Sequence, residues 1–497
     1  SGVATAGIIS ATTLYGDGSN LTGVGETIAP HYYNPDVKAT MVPISTGIGI
    51  TFNKKIEAGS GTATIKIVNA GVAGTTVQSW GISSATISVT ELTLGALVSD
   101  LDLKTTYQLD IPSGFIVDSN ETSYAGTAYT FTSVEPAYKL FGWGNNQYGG
   151  LDSNLANDAH RSSPVQIPGT TWRNIGASEE NAVFVTKLDG TLWVWGRGAN
   201  GQLGLNSETL YSSPVQVPGT TWVNVQAGTN TTHGIKSDGT MWAWGNNSYG
   251  ALGLSQPTNT NYSSPVQVPG TTWSTLHTDG YHNQMHGAIK TDGTLWLWGG
   301  ENEYGPLGQN DRTSYSSPVQ IPGTTWRSFV IHQRGGINAT KTDGTLWGWG
   351  WSDDGLLGLN NTDKYSSPVQ IPGTTWGAEM CAGIRHGGVV KTDGTLWMWG
   401  INSTGQLAQN NRTGYSSPKQ VPGTTWSKVS AQKDGYGTIA TKTDGTLWAW
   451  GENTKGQLGQ NSVVNYSSPV QIGSETQWDQ VKGGKAMNLA MEKDLTP

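Results

Sequence analysis

The side chains able to do chemistry are few and scattered. Cys381 is the one cysteine in 497 residues, so no intrachain disulfide can form, and no base near it in sequence stands ready to activate its thiol. The eight histidines are dispersed, apart from Tyr281-His282-Asn283-Gln284-Met285-His286. There two imidazoles have the i, i+4 spacing that suits a metal ion on a helix. The stretch should instead be a loop entering a strand, so the spacing is read as chance and no metal site is assigned. No Gly-x-Ser-x-Gly elbow, P-loop, His-Glu-x-x-His or paired-cysteine motif occurs. The expectation is a protein without catalytic residues, metal or cofactor, hence not an enzyme.

Charge narrows the partners. Twenty-eight Lys and Arg stand against 36 Asp and Glu, a formal net charge of −8, and only 13% of residues are charged. Without a basic stripe to neutralise phosphates, nucleic acid and anionic membrane surfaces are poor partners. No apolar run is long enough to span a bilayer, so no membrane insertion is expected. Sixty-nine glycines and 22 tryptophans beside six phenylalanines indicate short strands and tight turns, an all-β chain.

The elements that position any site follow from a repeat beginning at Tyr138. Ser-Ser-Pro recurs seven times, with prolines at 164, 214, 265, 318, 368, 418 and 469. Asp-Gly pairs at 189/190, 238/239, 292/293, 343/344, 393/394 and 444/445 separate two short apolar runs, the strongest short-range hairpin signal. The second run reads Leu-Trp-x-Trp-Gly with a small or apolar centre, so both faces of that strand must be covered. Blades around an axis satisfy this. The first unit, from Tyr138, lacks its first hairpin strand, and the last, ending near Asp494, lacks its Trp-rich one. Pairing the two ends leaves no open sheet edge. The prediction is a seven-bladed β-propeller over residues 137–497, closed by its two ends. Twenty-one of the 22 tryptophans lie in it and are expected in its core. Trp351, which follows its unit's Trp-Gly, is expected at the surface.

Comparing units within the chain separates a constant scaffold from a changing window between Thr-Thr-Trp and Asp-Gly. The windows centre on residues 178–181, 229–232, 280–284, 332–334, 384–386, 433–436 and 484–486. By ring symmetry they should project from one face as a polar and aromatic mosaic suited to recognition. Tyr281, His282, Arg334, Arg385, His386, Lys433 and Tyr436 are the candidate ligand-binding residues, because Tyr and Arg concentrate binding energy.

Gly201-Gln202-Leu203-Gly204 and Gly456-Gln457-Leu458-Gly459, each following a Trp-Gly, resemble the regulator of chromosome condensation repeat. That family forms seven-bladed propellers serving as exchange factors, inhibitors and docking platforms. Gly405-Gln406-Leu407-Ala408, Gly250-Ala251-Leu252-Gly253 and Gly149-Gly150-Leu151-Asp152 depart from the phrase. The family often has a histidine after the window glycine, where His233, His286 and His386 fall; four units lack it.

Ahead of the repeats, residues 27–136 carry alternating stretches such as Ala63-Thr64-Ile65-Lys66-Ile67-Val68, which predict a β-sandwich. Gly49-Ile50-Thr51-Phe52, Thr106-Tyr107-Gln108-Leu109-Asp110-Ile111-Pro112 and Tyr129-Thr130-Phe131 resemble bacterial immunoglobulin-like spacer domains. Within residues 1–26, the segment from Ala11 to Val24 is similar to stretches of fibre proteins of marine tailed phages, which implies attachment or oligomerisation. Together these resemblances imply a virion tail fibre or adhesin, a homotrimer. It would attach to other virion proteins through residues 1–26 and meet a host-surface polysaccharide or protein through the propeller. The alternatives are a head-bound decoration fibre or assembly subunit, a bacterial surface adhesin, an inhibitor of an extracellular enzyme, and a small-GTPase exchange factor.

Overall fold

In a computed structural model the chain forms two compact units, Ser1–Glu135 and Pro136–Pro497. The structure describes residues 30–34, 42–43, 49–53, 55–69, 72–94, 106–134, 137–151, 160–178, 181–256, 260–278, 284–433 and 435–494. The expected attachment segment, together with Tyr281 and His282, lies outside them.

In the first unit, Thr127–Val134, Thr106–Ile111, Thr62–Asn69 and Val72–Gly81 are consecutive strands of one sheet. A second sheet runs Pro30–Asn34, Gly49–Phe52, Glu91–Thr93 and Thr86–Ser88. Alternation along each strand turns one row inward. Ala63, Ile65, Tyr107, Leu109 and Ile111 from the first sheet meet Ile50, Phe52 and Leu92 from the second in one buried cluster. That is a β-sandwich core.

The second unit is built from antiparallel sheets that each repeat one order. In the sheet beginning with Trp222–Ala227, that strand pairs with Thr231–Lys236, then Met241–Gly245, then Tyr262–Val268. Five sheets have four strands, and a sixth has seven because Arg161–Ala177 takes part in two ladders. Its early residues pair with Tyr138–Gly144 and its later ones with Val183–Lys187. Tyr138–Gly144 also pairs along its whole length with Met487–Lys493, from Tyr138↔Lys493 to Gly144↔Met487. The first strands of successive sheets neighbour one another, and Trp478–Gly483 neighbours Arg161–Ala177.

The repeated phrases have assignable jobs. At each Asp-Gly turn the aspartate accepts from the threonine two residues on: Asp189 Oδ1 takes the Thr191 N–H at 2.9 Å and its hydroxyl at 2.6 Å. That hydroxyl oxygen accepts the Trp193 indole N–H at 2.9 Å. The same relay recurs at Asp238, Asp292, Asp343, Asp393 and Asp444. The threonine hydroxyl, then its N–H, holds the Asp189 carboxyl below the usual carboxylate range.

A second relay joins neighbouring sheets. The second Trp of each Trp-x-Trp donates its indole N–H to a carbonyl in the preceding unit's Gly-Gln-Leu-Gly-like turn. Examples are Trp244 to Gln202 at 2.8 Å, Trp399 to Leu356 at 2.7 Å and Trp450 to Gln406 at 2.9 Å. Trp143 makes the same bond to Gln457 at 2.8 Å, across 314 residues of chain. The last glycine of the turn is required by this approach. A Cβ on Gly204 would stand 2.8 Å from the Trp244 Nε1, and φ there is +73°. In the departing unit Ala408 occupies that place at φ 58°, a left-handed conformation that a side chain disfavours.

Of the 21 ring tryptophans, the second of each Trp-x-Trp and the Trp of each Thr-Thr-Trp are buried. Trp193, Trp242, Trp296, Trp347, Trp397 and Trp448 are half-buried. Trp351 corrects an expectation: it is 4% exposed, because the Arg334 guanidinium covers its ring at 5.2 Å from the centroid.

Candidate recognition surface

The windows lie at the ends of the first strands, where those strands neighbour one another. None of their described residues is exposed. Among the described residues the expected outward mosaic is not seen: the window side chains are buried or half-buried.

Lys433 shows how. It is 7% exposed, and its ammonium donates to the carbonyls of Ala227 at 2.6 Å and Thr278 at 3.3 Å. These carbonyls end first strands 206 and 155 residues away in sequence. The Gln333 amide donates to the Lys433 carbonyl in turn. Four units thus meet at one residue, three of them through its side chain. Next to it, half-buried Lys482 donates to Gln226 Oε1 at 2.8 Å. Burial, then the Lys433 charge, pulls its ammonium down to about 7. His277 accepts the Ile331 N–H at Nδ1, 3.2 Å away. Burial, followed by the charges of Lys482, Lys433 and His332, keeps its imidazole well below the ordinary range.

The other candidates divide. Buried His386 places Nε2 3.3 Å from the Thr438 hydroxyl, and burial drops it to about 3. Arg385 is half-buried in an ion pair with Asp354 at 3.0 Å, and Arg334 is committed to Trp351. Tyr436 is half-buried; its carbonyl accepts the Glu452 N–H at 3.0 Å. His386 and Lys433 are thus held inside the fold, and the two arginines have local partners.

Four histidines, His233, His286, His332 and His386, are among the fully buried polar residues. His233 and His286 are fully buried with ring centroids 4.6 Å apart, and His286 Nε2 lies 3.2 Å from the Thr231 hydroxyl. His332 Nε2 meets Asn338 Oδ1 at 2.9 Å. Burial lowers His233 to about 3 and His332 to about 4, and it lowers His286 too, with His233 as the next cause. Burial disfavours the charged form of each, and His286, His332 and His386 each have a polar partner at Nε2. Burial pushes the Cys381 thiol up to about 12, which leaves it inert as a nucleophile. Among the described residues no three His, Cys, Asp or Glu side chains converge in a way that could hold a metal ion.

Lys482, Gln226 and His277 were not singled out from sequence. They share a register, the fourth residue after the Trp of Trp222–Ala227, Trp273–Thr278 and Trp478–Gly483. A polar residue at that place in an otherwise packed strand was the available signal.

Comparison with known proteins gives the parts. Residues 28–133 match the model of a bacterial Ig-like domain. The regulator of chromosome condensation (RCC1) repeat matches at 189–234, 238–274, 343–390, 393–431 and 444–491, and a second model of that repeat at 222–251. The Ultraviolet-B receptor UVR8 of Arabidopsis thaliana is 27% identical over 237 residues, 46% of this chain and 53% of the receptor. The match thus spans about half the length of that relative. Among solved structures, Kap60 bound to yeast RCC1 (Prp20) aligns with a TM-score of 0.63 at 17% identity, covering 73% of this chain and 90% of the other. Human WBSCR16 aligns at 0.62 and 18%, covering 72% and 100%. At such identities the likeness is one of fold. The chain is an all-β protein in which a bacterial Ig-like domain precedes a propeller-like array of regulator of chromosome condensation repeats.

Proposed function

We propose that the repeat region is a closed seven-bladed propeller and that the protein is a non-enzymatic recognition subunit of a tailed-phage virion, a tail fibre or adhesin. For closure, the support is the pairing of Tyr138–Gly144 with Met487–Lys493 and the Trp143 bond to Gln457. The first gives the two ends the pairing found inside every other sheet, and the second gives them the tryptophan bond that joins neighbouring sheets. For the virion role, the carrying observation is the fibre-like segment from Ala11 to Val24 ahead of an Ig-like domain and a rigid, tryptophan-stapled array. In this reading residues 1–26 attach the chain to other virion proteins as a homotrimer, the sandwich spaces, and the propeller meets a host-surface polysaccharide or protein. Affinity comes from several weak copies per particle. The inward-drawn windows favour a second reading, a head-bound decoration fibre or assembly subunit, because they leave little variable surface at that end.

Cryo-electron microscopy of the particles that carry the chain separates the two. A propeller at the distal end of a tail appendage supports host recognition. A propeller seated on the capsid, or covered by other subunits, replaces it with the decoration reading. A chain absent from virions overturns both.

A further inference from the structure

We propose that the outer rim of the array carries a groove, repeated from unit to unit, that binds an acidic saccharide. Two cavities of about 350 and 490 Å³ are lined by equivalent residues, a size that suits a small ligand. The first is lined by Asn206, Pro218, Trp222, Lys236, Trp242 and the Ser264-Pro265 pair. The second is lined by Asn410, Pro422, Trp426, Lys442, Trp448 and the Ser468-Pro469 pair. Position for position they are one site, built twice.

Its chemistry is specific. The Lys236 ammonium stands 4.8 Å from the Trp222 ring centroid and 4.5 Å from that of Trp242. Lys442 lies 4.8 and 4.2 Å from Trp426 and Trp448. Among the described residues neither ammonium makes a hydrogen bond or an ion pair, so its N–H donors are open to a ligand. The nearby Asp238 and Asp444 carboxylates are already occupied by Thr240 and Thr446. Trp242 and Trp448 are half-buried and offer the rest of their rings to a sugar face. Asn410 uses its Oδ1 to accept from Ser468 at 3.2 Å, and Asn206 does so more loosely from Ser264 at 3.5 Å, so each side-chain amide keeps its N–H donors for a hydroxyl.

Lys187, Lys290, Lys341 and Lys391 are each held between two tryptophans in the same manner, so the charged and aromatic part of the groove recurs from unit to unit. A single ammonium per groove is too little for a nucleic-acid backbone. It matches one acid group per sugar, and a polymer could engage several grooves at once.

The inference gives the recognition reading a ligand class and rests on it only for biological setting. A capsid location would leave groove binding untouched, and failed binding would leave the location untouched. The test titrates the full chain with polygalacturonate and, separately, with neutral dextran, following tryptophan fluorescence and calorimetric heat. Polygalacturonate should bind, and dextran should bind at least about tenfold more weakly. The double variant K236M/K442M, which keeps the apolar stems on the rings, should weaken polygalacturonate about fivefold, and K236R/K442R should restore it. If the methionine variant melts early, the charge-reversed K236E/K442E decides: lost polygalacturonate binding supports the proposal and parental affinity overturns it. No binding of polygalacturonate, equal binding of dextran, or a folded methionine variant with unchanged affinity would each overturn the proposal.

Discussion

Thr220, Thr271, Thr324, Thr374 and Thr424 stand exposed in a phrase that repeats almost unchanged, whereas Thr231, His332, His386 and Lys433 lie buried in windows that share no pattern. Burial ordinarily restrains a sequence and exposure frees it. Here the two are exchanged, and geometry supplies the reason. At the Thr-Thr-Trp phrase each unit meets the preceding unit's Asp-Gly turn, as where the Trp222 N–H donates to the Gly190 carbonyl, so one set of residues serves every unit. Where the first strands converge, equivalent side chains would compete for the same space. One Lys433 bonding to the carbonyls of Ala227 and Thr278 excludes six copies of itself, so the windows must differ in order to fit.

The comparison can be broken at several strengths. Removing Gln480 to Pro497 deletes the last window together with the strand that pairs with Tyr138–Gly144. Thermal unfolding followed by circular dichroism should then lose its single cooperative step or fall by roughly 10 °C or more. A deletion that melted like the parent would sink the closure model.

Acid acts next. For His233, His332 and His386 the folded values of about 3, 4 and 3 lie below the ordinary 6.5. Between those limits the unfolded chain binds more protons, so stability falls as pH drops below 6.5. The turn aspartates, with an unfolded value of 3.8, contribute to acid loss only at lower pH. By pH 5 each histidine should cost on the order of 2 kcal/mol, visible as a steep drop in Tm between pH 6.5 and 4.5. A flat profile in that window would show that the histidines are not held neutral in the core.

Single substitutions sharpen the contrast. Lys433→Met leaves two buried carbonyls without their donor and should cost about 2 kcal/mol in denaturant unfolding. Thr424→Ala on the rim should stay within about 0.5 kcal/mol. Equal effects would erase the distinction between the two regions. The smallest expected change is a gain: Ala408→Gly relieves the left-handed strain at φ 58° and should stabilise by about 1 kcal/mol. An unchanged denaturation midpoint would mean that the strain is already offset by the Ala408 side chain's own burial.

Much of the fold was legible because its signals are local. Asp189-Gly190 and its counterparts mark turns that side-chain hydrogen bonds close within two residues. Trp-x-Trp declares a strand covered on both faces, and Ala63 and Ile65 alternate inward as period two requires. The candidate site was less legible. Arg385 and Tyr436 look like recognition residues by type, yet Asp354 holds the first in an ion pair, and the second is half-buried at the window's end. Trp351 looked exposed by position until Arg334 covered it.

By itself the sequence determined the strand composition, the length and order of the units, the turn chemistry and the division into sandwich and array, all of which depend on contacts between residues near in the chain or on a strict period. Only the tertiary structure decided which polar residues are solvent-facing. Lys433 reaches carbonyls more than 150 residues away, and whether a lysine ends in water or at a junction of four units depends on packing that no local pattern encodes. The rim grooves came to light for the same reason: Asn206, Lys236 and Ser264 are remote in the repeat and adjacent in space.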